Sequence, residues 1–138
     1  MADSIISKSE TDTLNLGIQF AAKLKAGDVI ALSGEMGAGK TYFVKGIAQG
    51  LGYQGDVTSP TFNLLHEYRG GRLPLWHADW YRIKSVEEAF QIGLEEIWHE
   101  GITVMEWPEK VKPFLPLYVL WVEIKIRSEQ EREIFGIK

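Results

Sequence analysis

The chain has 138 residues, 45% of them apolar and 25% charged, with a formal net charge of −4. That length and balance predict one soluble domain over residues 1–138, with a real core and no room for a separate substrate domain. The absence of cysteine excludes disulfides, thiolate nucleophiles and cysteine-ligated zinc, and the mildly acidic balance gives no global reason for tight nucleic-acid or membrane binding.

"MADSIISKSETDT" at the start lacks the apolar core of a secretory leader, and no apolar run reaches spanning length. A cytoplasmic location is the expectation. Residues 4–8 predict a short strand. Ser9 with Asp12 has capping-box spacing, and Leu14, Gly17, Ile18, Ala21 and Leu24 recur at helical period, so a helix is expected up to Gly27. "DVIALS", residues 28–33, is a continuous apolar run and predicts a buried strand. After a glycine-rich loop, Phe43, Val44, Ile47, Ala48 and Leu51 form a second helical stripe, closed by Gly52.

Residues 61–68 and 73–79 predict two strands joined as a hairpin across "RGGR". Ser85 with Glu88 repeats the capping-box spacing and opens a helix to about Gln91, and residues 95–99 predict a further helical turn. "GITVMEW" predicts a short buried strand stopped by Pro108. "LYVLWVEIKIR" is the longest strand candidate, with Tyr118, Leu120, Val122, Ile124 and Ile126 on one face, and "EREIFGIK" is its hairpin partner. Strands and helices mix throughout, which makes the class α/β with a mixed, partly parallel central sheet.

The glycine-rich loop carries chemistry. "VIALSGEMGAGKTYF" places Gly34, Gly39, Lys40 and Thr41 in the spacing G-x-x-x-x-G-K-[ST], after a buried strand and before an amphipathic helix. In such a loop the backbone of Gly34, Glu35, Met36, Gly37, Ala38 and Gly39 turns its N–H groups inward around phosphates, at the positive end of a helix. Lys40 then reaches the β- and γ-phosphates and the Thr41 hydroxyl binds Mg²⁺. A three-layer fold of the P-loop nucleotide-hydrolase kind is the architecture expected around it.

Magnesium needs a second, acidic partner at the end of a neighbouring strand. Asp79 ends "LPLWHAD" and Glu106 stands near the end of "ITVMEW", and both fall where α/β sheets collect ligands. In "VTSPTF", Thr58, Ser59 and Thr61 are candidate phosphate-sensing hydroxyls, although a Ser-Pro turn into a strand is the favoured reading of the residues alone. His66, His77 and His99 lack metal-ligand spacing and read as packing or surface residues. Arg69, Arg72, Arg82 and Lys84 read as a scattered solvated set, and Trp107 is singled out because it follows Glu106 directly.

Taken together, "LSGEMGAGKTYFVKGIAQGLG", "VTSPTFNLLHEY", "LPLWHADWYR", "GLEEIW" and "ITVMEWPEK" resemble, in order and spacing, the TsaE (YjeE) ATPases. The resemblance runs from about Glu10 to Lys110. It implies an ATP- and Mg²⁺-dependent ATPase, weak alone, that serves the threonylcarbamoyladenosine modification of tRNA. It also implies two partners, TsaB and the transferase TsaD, with hydrolysis resetting that complex and only indirect or weak contact with tRNA.

By position, the resemblance implies that residues 34–41 hold the phosphates and that Thr41 and Glu106 hold magnesium. It makes Lys40, Asp79 and Glu106 the catalytic set, with Asp79 acting through a water. It further implies Thr61 in a switch segment, Trp107 near the base, Glu10 and Thr11 near the adenine, and Arg132 beside the nucleotide. Tyr42 departs from the small hydroxyl residue usual after Lys-Thr, so its backbone N–H must serve the α-phosphate. Ala78 and Trp80 depart from the usual Phe and Leu around Asp79. Two other readings stay open on the residues: a small P-loop kinase, and a nucleotide-gated binding module without essential hydrolysis.

Overall fold

A computed structural model describes residues 3–57 and 64–138; the candidate hydroxyls Thr58, Ser59 and Thr61 lie outside them. Among the described residues seven strands form one sheet: β1 (Ser4–Ser7), β2 (Val29–Gly34), β3 (Leu65–Tyr68), β4 (Leu75–Asp79), β5 (Ile102–Glu106), β6 (Leu120–Ile126) and β7 (Arg132–Phe135). Their spatial order is β1-β7-β6-β2-β5-β4-β3. The central strands β6, β2, β5 and β4 run parallel, and antiparallel pairs close both edges. Parallel neighbours buried on both faces explain the uninterrupted apolar runs of β2 and β5.

The helices are α1 (Glu10–Ala21), α2 (Lys40–Gly50) and α3 (Val86–Ile92). One face of the sheet packs under α1 and α2, through Phe20, Phe43, Val44 and Ile47 against Ile30, Leu32, Val104, Val122, Ile124 and Ile134. The other carries α3 and a 3₁₀ segment at Pro108–Phe114, through Ala89, Val111 and Phe114 against Val29, Trp76, Ala78 and Met105. The expected three layers are present, but the second covering layer sits over β2, β5 and β4 rather than the whole sheet.

Local signals explain most boundaries. Ser9 caps α1 by accepting the Asp12 amide at 3.0 Å, while the Asp12 carboxylate reaches back to the Lys8 amide at 2.9 Å. Helix α1 stops at Ala21, before the expected Leu24, because the amides of Lys23 and Leu24 already bond three residues back to Phe20 and Ala21. Arg72 then donates to the Ala21 and Leu24 carbonyls at 3.1 and 3.3 Å, so one arginine of the supposedly scattered set closes that helix end. At α3 the capping box is half made: Glu88 accepts the Lys84 amide at 2.8 Å, but the Ser85 side chain makes no cap bond. The turn expected at residues 95–99 is two 3₁₀ pieces, Leu94–Glu96 and Trp98–Glu100.

The strand expected in "LYVLWVEIKIR" is shorter than that run. Of the five residues expected on one face, Val122 and Ile124 are buried, while Tyr118, Leu120 and Ile126 are exposed. The strand begins at Leu120, and its two covered positions are those that join the α1–α2 core. Alternation places side chains on a face; whether anything lies over that face is decided elsewhere.

Candidate active site

The loop between β2 and α2 makes one wall of a cavity of about 740 Å³. Gly39 caps α2 with a φ of 96° and offers no side chain to the helix end. A residue with a Cβ would be strained in that left-handed conformation. No side chain caps the start of α2, and the helix dipole gives that end a positive potential. Met36, Gly37, Ala38, Gly39, Lys40, Thr41 and Tyr42 line the cavity. Gly34 and Glu35 do not: a Cβ on Gly34 would lie 2.8 Å from the Ile124 carbonyl, and Glu35 accepts the Ala38 amide within the loop.

The two candidate acids come from adjacent parallel strands. Asp79 and Glu106 are register partners at the carboxyl ends of β4 and β5, and Glu106 is in turn level with Leu32 of β2. Both face the same cavity, beyond the ends of the parallel strands where α/β sheets gather their ligands. Glu106 is only 4% exposed, and its Oε1 stands 3.7 Å from Lys40 Nζ. Burial of Asp79 pushes its carboxyl above the ordinary aspartate range; Glu106 adds to the rise, while the Tyr81 amide, His77 and Lys40 oppose it. The Tyr81 amide donates to Asp79 Oδ1 at 2.9 Å, which holds the carboxylate at the cavity mouth.

Trp107 connects these groups. It has φ 57° and ψ 49°, a left-handed conformation that a bulky residue adopts only under constraint from its surroundings. Lys40 Nζ lies 4.6 Å from the centre of its ring, and the Tyr81 ring packs against it at 4.9 Å. Lys110 donates to the Tyr81 carbonyl at 2.6 Å, and the Trp80 amide donates to the Glu106 carbonyl at 3.1 Å. Thus "HADWYR" (77–82) and "MEWPEK" (105–110) interlock as one structural unit, although 22 residues separate them in the chain.

Thr11, Glu10, Gln130 and Arg132 also line the cavity. Arg132 donates to the Gly37 and Ala38 carbonyls at 3.1 and 3.2 Å and to three carbonyls of the turn before β7, so most of its N–H groups are engaged by backbone. Glu10, through its hydrogen bond and then its charge, pushes the Tyr42 phenol above the ordinary tyrosine range. Among the candidates, Thr11, residues 36–42, Asp79, Glu106, Trp107 and Arg132 share one cavity, and Thr61 lies outside the described residues.

One contact of Glu106 was missed in the sequence, where His77 reads as a packing or surface residue. His77 is fully buried on β4, and its Nε2 lies 2.5 Å from Glu106 Oε2. Nothing in the spacing of three histidines points to it; the signal is the shared strand face of His77 and Asp79 in "HAD".

Residues 7–134 match the family model described as threonylcarbamoyl adenosine biosynthesis protein TsaE. The chain belongs to the TsaE family. The tRNA threonylcarbamoyladenosine biosynthesis protein TsaE of Treponema pallidum is 44% identical over 130 residues, covering 94% of this chain and 96% of that protein. The TsaE protein of Bacillus subtilis is 45% identical over 115 residues, covering 83% and 72%. A crystal structure of Bacillus subtilis YdiB superposes with a TM-score of 0.79 at 35% identity, covering all of this chain and 88% of that one. This TsaE-family chain therefore has the expected mixed α/β fold, and its family is one of tRNA threonylcarbamoyladenosine biosynthesis. No helix among its described residues is long and apolar enough to cross a membrane.

Proposed function

We propose that the chain is a magnesium-dependent ATPase subunit of the threonylcarbamoyladenosine pathway, acting with TsaB and TsaD to reset their complex between turnovers. The observation that carries this reading is convergence. Lys40, Thr41, Asp79 and Glu106 line one cavity at the uncapped start of α2.

The residues fit ATP and magnesium chemically. Backbone amides of the loop and of the first turn of α2 hold phosphate oxygens, and Lys40 balances the charge of the β- and γ-phosphates. The Thr41 hydroxyl and the Glu106 carboxylate are hard oxygen donors, the class magnesium prefers. When bound, magnesium would neutralise charge that develops on the transferred phosphoryl group. Asp79, held by the Tyr81 amide and with its proton affinity raised by burial, orients the attacking water and accepts its proton. Trp107 and Tyr81 shield the cavity beside Lys40 from bulk water.

The decisive experiment measures ATP hydrolysis by the protein alone and then with both partners. Slow turnover that rises at least tenfold on adding the partners is expected, in line with the large effects of completing a phosphoryl-transfer site. Turnover that ignores the partners would defeat the reading. A phosphorylated small molecule accumulating in place of free phosphate would transfer the chain to the kinases.

A further inference from the structure

The contact between His77 and Glu106 has no place in the chemistry above, yet both side chains are withdrawn from solvent. His77 Nε2 lies 2.5 Å from Glu106 Oε2, while His77 Nδ1 is buried without a hydrogen-bond partner among the described residues. These facts favour a hydrogen on Nε2 and none on Nδ1. With the hydrogen on Nε2, the ring donates to the carboxylate and Nδ1 keeps only a lone pair to bury. With the hydrogen on Nδ1, a buried N–H would lack an acceptor and two lone pairs would oppose each other at Nε2.

The backbone delivers this geometry. His77 pairs with Val104 on the neighbouring strand, two positions before the Asp79–Glu106 pair, and both strands present alternate residues to the same face. His77 therefore reaches Glu106 from within the sheet and from below the cavity, while Lys40 approaches the other oxygen, Oε1, from the loop at 3.7 Å.

We propose that His77 is a positioning residue: its Nε2–H holds Glu106 Oε2 so that Oε1 alone faces Lys40 and the metal. A glutamate side chain has three rotatable bonds, and a free carboxylate here could turn either oxygen to Lys40 and abandon the metal. Groups that orient a ligand in this way commonly change metal affinity by about 10–100-fold when removed. This inference rests on the reading of Glu106 as a magnesium ligand, and the test separates the two.

The test uses Mn²⁺ as a paramagnetic stand-in for Mg²⁺, with ADP as the nucleotide. Wild type, His77→Leu and His77→Gln are compared by Mn²⁺ binding at saturating ADP, with metal-free ADP binding followed in parallel. Leucine keeps the volume and removes the donor; a glutamine amide can reach the place of Nε2. His77→Leu should weaken Mn²⁺ binding about 10–100-fold while metal-free ADP binding changes far less, and His77→Gln should recover most of the loss. Equal Mn²⁺ affinity in wild type and His77→Leu, or a glutamine variant as weak as leucine, would overturn the proposal. The wild type needs no substitution for its own check: nitrogen-15 shifts must place the His77 hydrogen on Nε2, and a hydrogen on Nδ1 would overturn the proposal whether or not the variants fold. Glu106→Gln keeps the failures apart. If that variant binds Mn²⁺ as well as wild type, it is Glu106 as a ligand that has failed.

Discussion

Arg132 donates from its guanidinium to the Ala38 carbonyl at 3.2 Å, tying the turn before β7 to the glycine-rich loop 94 residues earlier in the chain. A second bond from the same group reaches Gly37, and three more hold the turn itself. The loop is rich in glycine and would be floppy without such a clasp. Arg132→Ala should therefore weaken ADP binding roughly tenfold or more, the effect expected from losing charge-assisted bonds that preorganise a site. Arg132→Lys should not restore it, since one ammonium cannot span both loop carbonyls and the turn. Calorimetric titration of ADP reads this directly, and unchanged affinity in Arg132→Ala would remove the clasp from the account.

Asp79 and Glu106 are separable by experiment. Asp79→Asn should reduce ATP turnover by about 100-fold or more, the range for losing a positioned proton acceptor, while ADP binding holds. Its thermal stability, measured without metal, should rise rather than fall. The sign follows from burial and the nearby Glu106 charge, which raise the carboxyl's proton affinity in the folded state and make its ionised form unfavourable there. The neutral amide removes that penalty. A variant that loses both activity and stability would mean that Asp79 is mainly structural.

The strained residue gives a third prediction. Trp107 has φ 57°, and it is the one non-glycine residue with positive φ among the described residues. Left-handed backbone costs an ordinary residue about 1–2 kcal/mol, and glycine escapes that cost. Both Trp107→Gly and Trp107→Ala lose the contacts with Tyr81 and Lys40. The glycine variant should nevertheless be the more stable of the two by about 1 kcal/mol, as read by denaturant unfolding. At most exposed turns the order would be reversed. If alanine is the more stable, the conformation of Trp107 is not strained.

Much of this arrangement was legible in the residues. The loop glycines, Lys40, Thr41 and the two strand-end acids follow from motif spacing and from the rule that α/β sheets gather ligands beyond their strands. His77 was not legible, because a histidine in an apolar strand looks the same whether it packs or donates. Only the register that sets β4 beside β5 brings it to Glu106. Arg132 was expected beside the nucleotide and lines the same cavity, but its bonds to the loop carbonyls were not legible. The shared face of Leu120, Val122, Ile124 and Ile126 was legible, but no pattern within a strand says where the helices of the covering layer end.

A fourth prediction concerns acid. Ser4 donates to Glu133 Oε2 at 2.5 Å and Arg127 Nε donates to Oε1 at 2.7 Å, binding the edge strand β1 to β7. These donors hold the Glu133 carboxyl below the ordinary glutamate value of 4.5. A group lowered in this way contributes fully above its unfolded value and loses the contribution as pH falls through the folded one. Glu133→Gln should thus melt below wild type at neutral pH, with the gap closing only once the pH drops under that ordinary value. Melting curves across the range decide it: a gap that persists unchanged into strong acid would assign the effect to shape rather than charge.

Helices α1 and α2 meet backbone to backbone at Gly17 and Gly46, within two turns of the glycine-rich loop that precedes α2. A Cβ on Gly46 would lie 2.1 Å from the Leu14 carbonyl, and one on Gly17 would lie 2.4 Å from the Phe43 carbonyl. In an exposed helix interior, replacing glycine by alanine gains about 1 kcal/mol through propensity. Here the methyl has no space, and the neighbouring atoms are main chain that cannot rotate away. Overpacking of this kind costs about 1–3 kcal/mol, and separating the helices would also displace Lys40 and Thr41 at the start of α2. Gly46→Ala should therefore lower both unfolding free energy and ADP affinity, and Gly17→Ala should do the same from the other side. The double variant discriminates further. Once the helices have parted for the first methyl, the second costs less, so the two losses should sum to more than the measured total. Strict additivity would mean that the two glycines are not one contact.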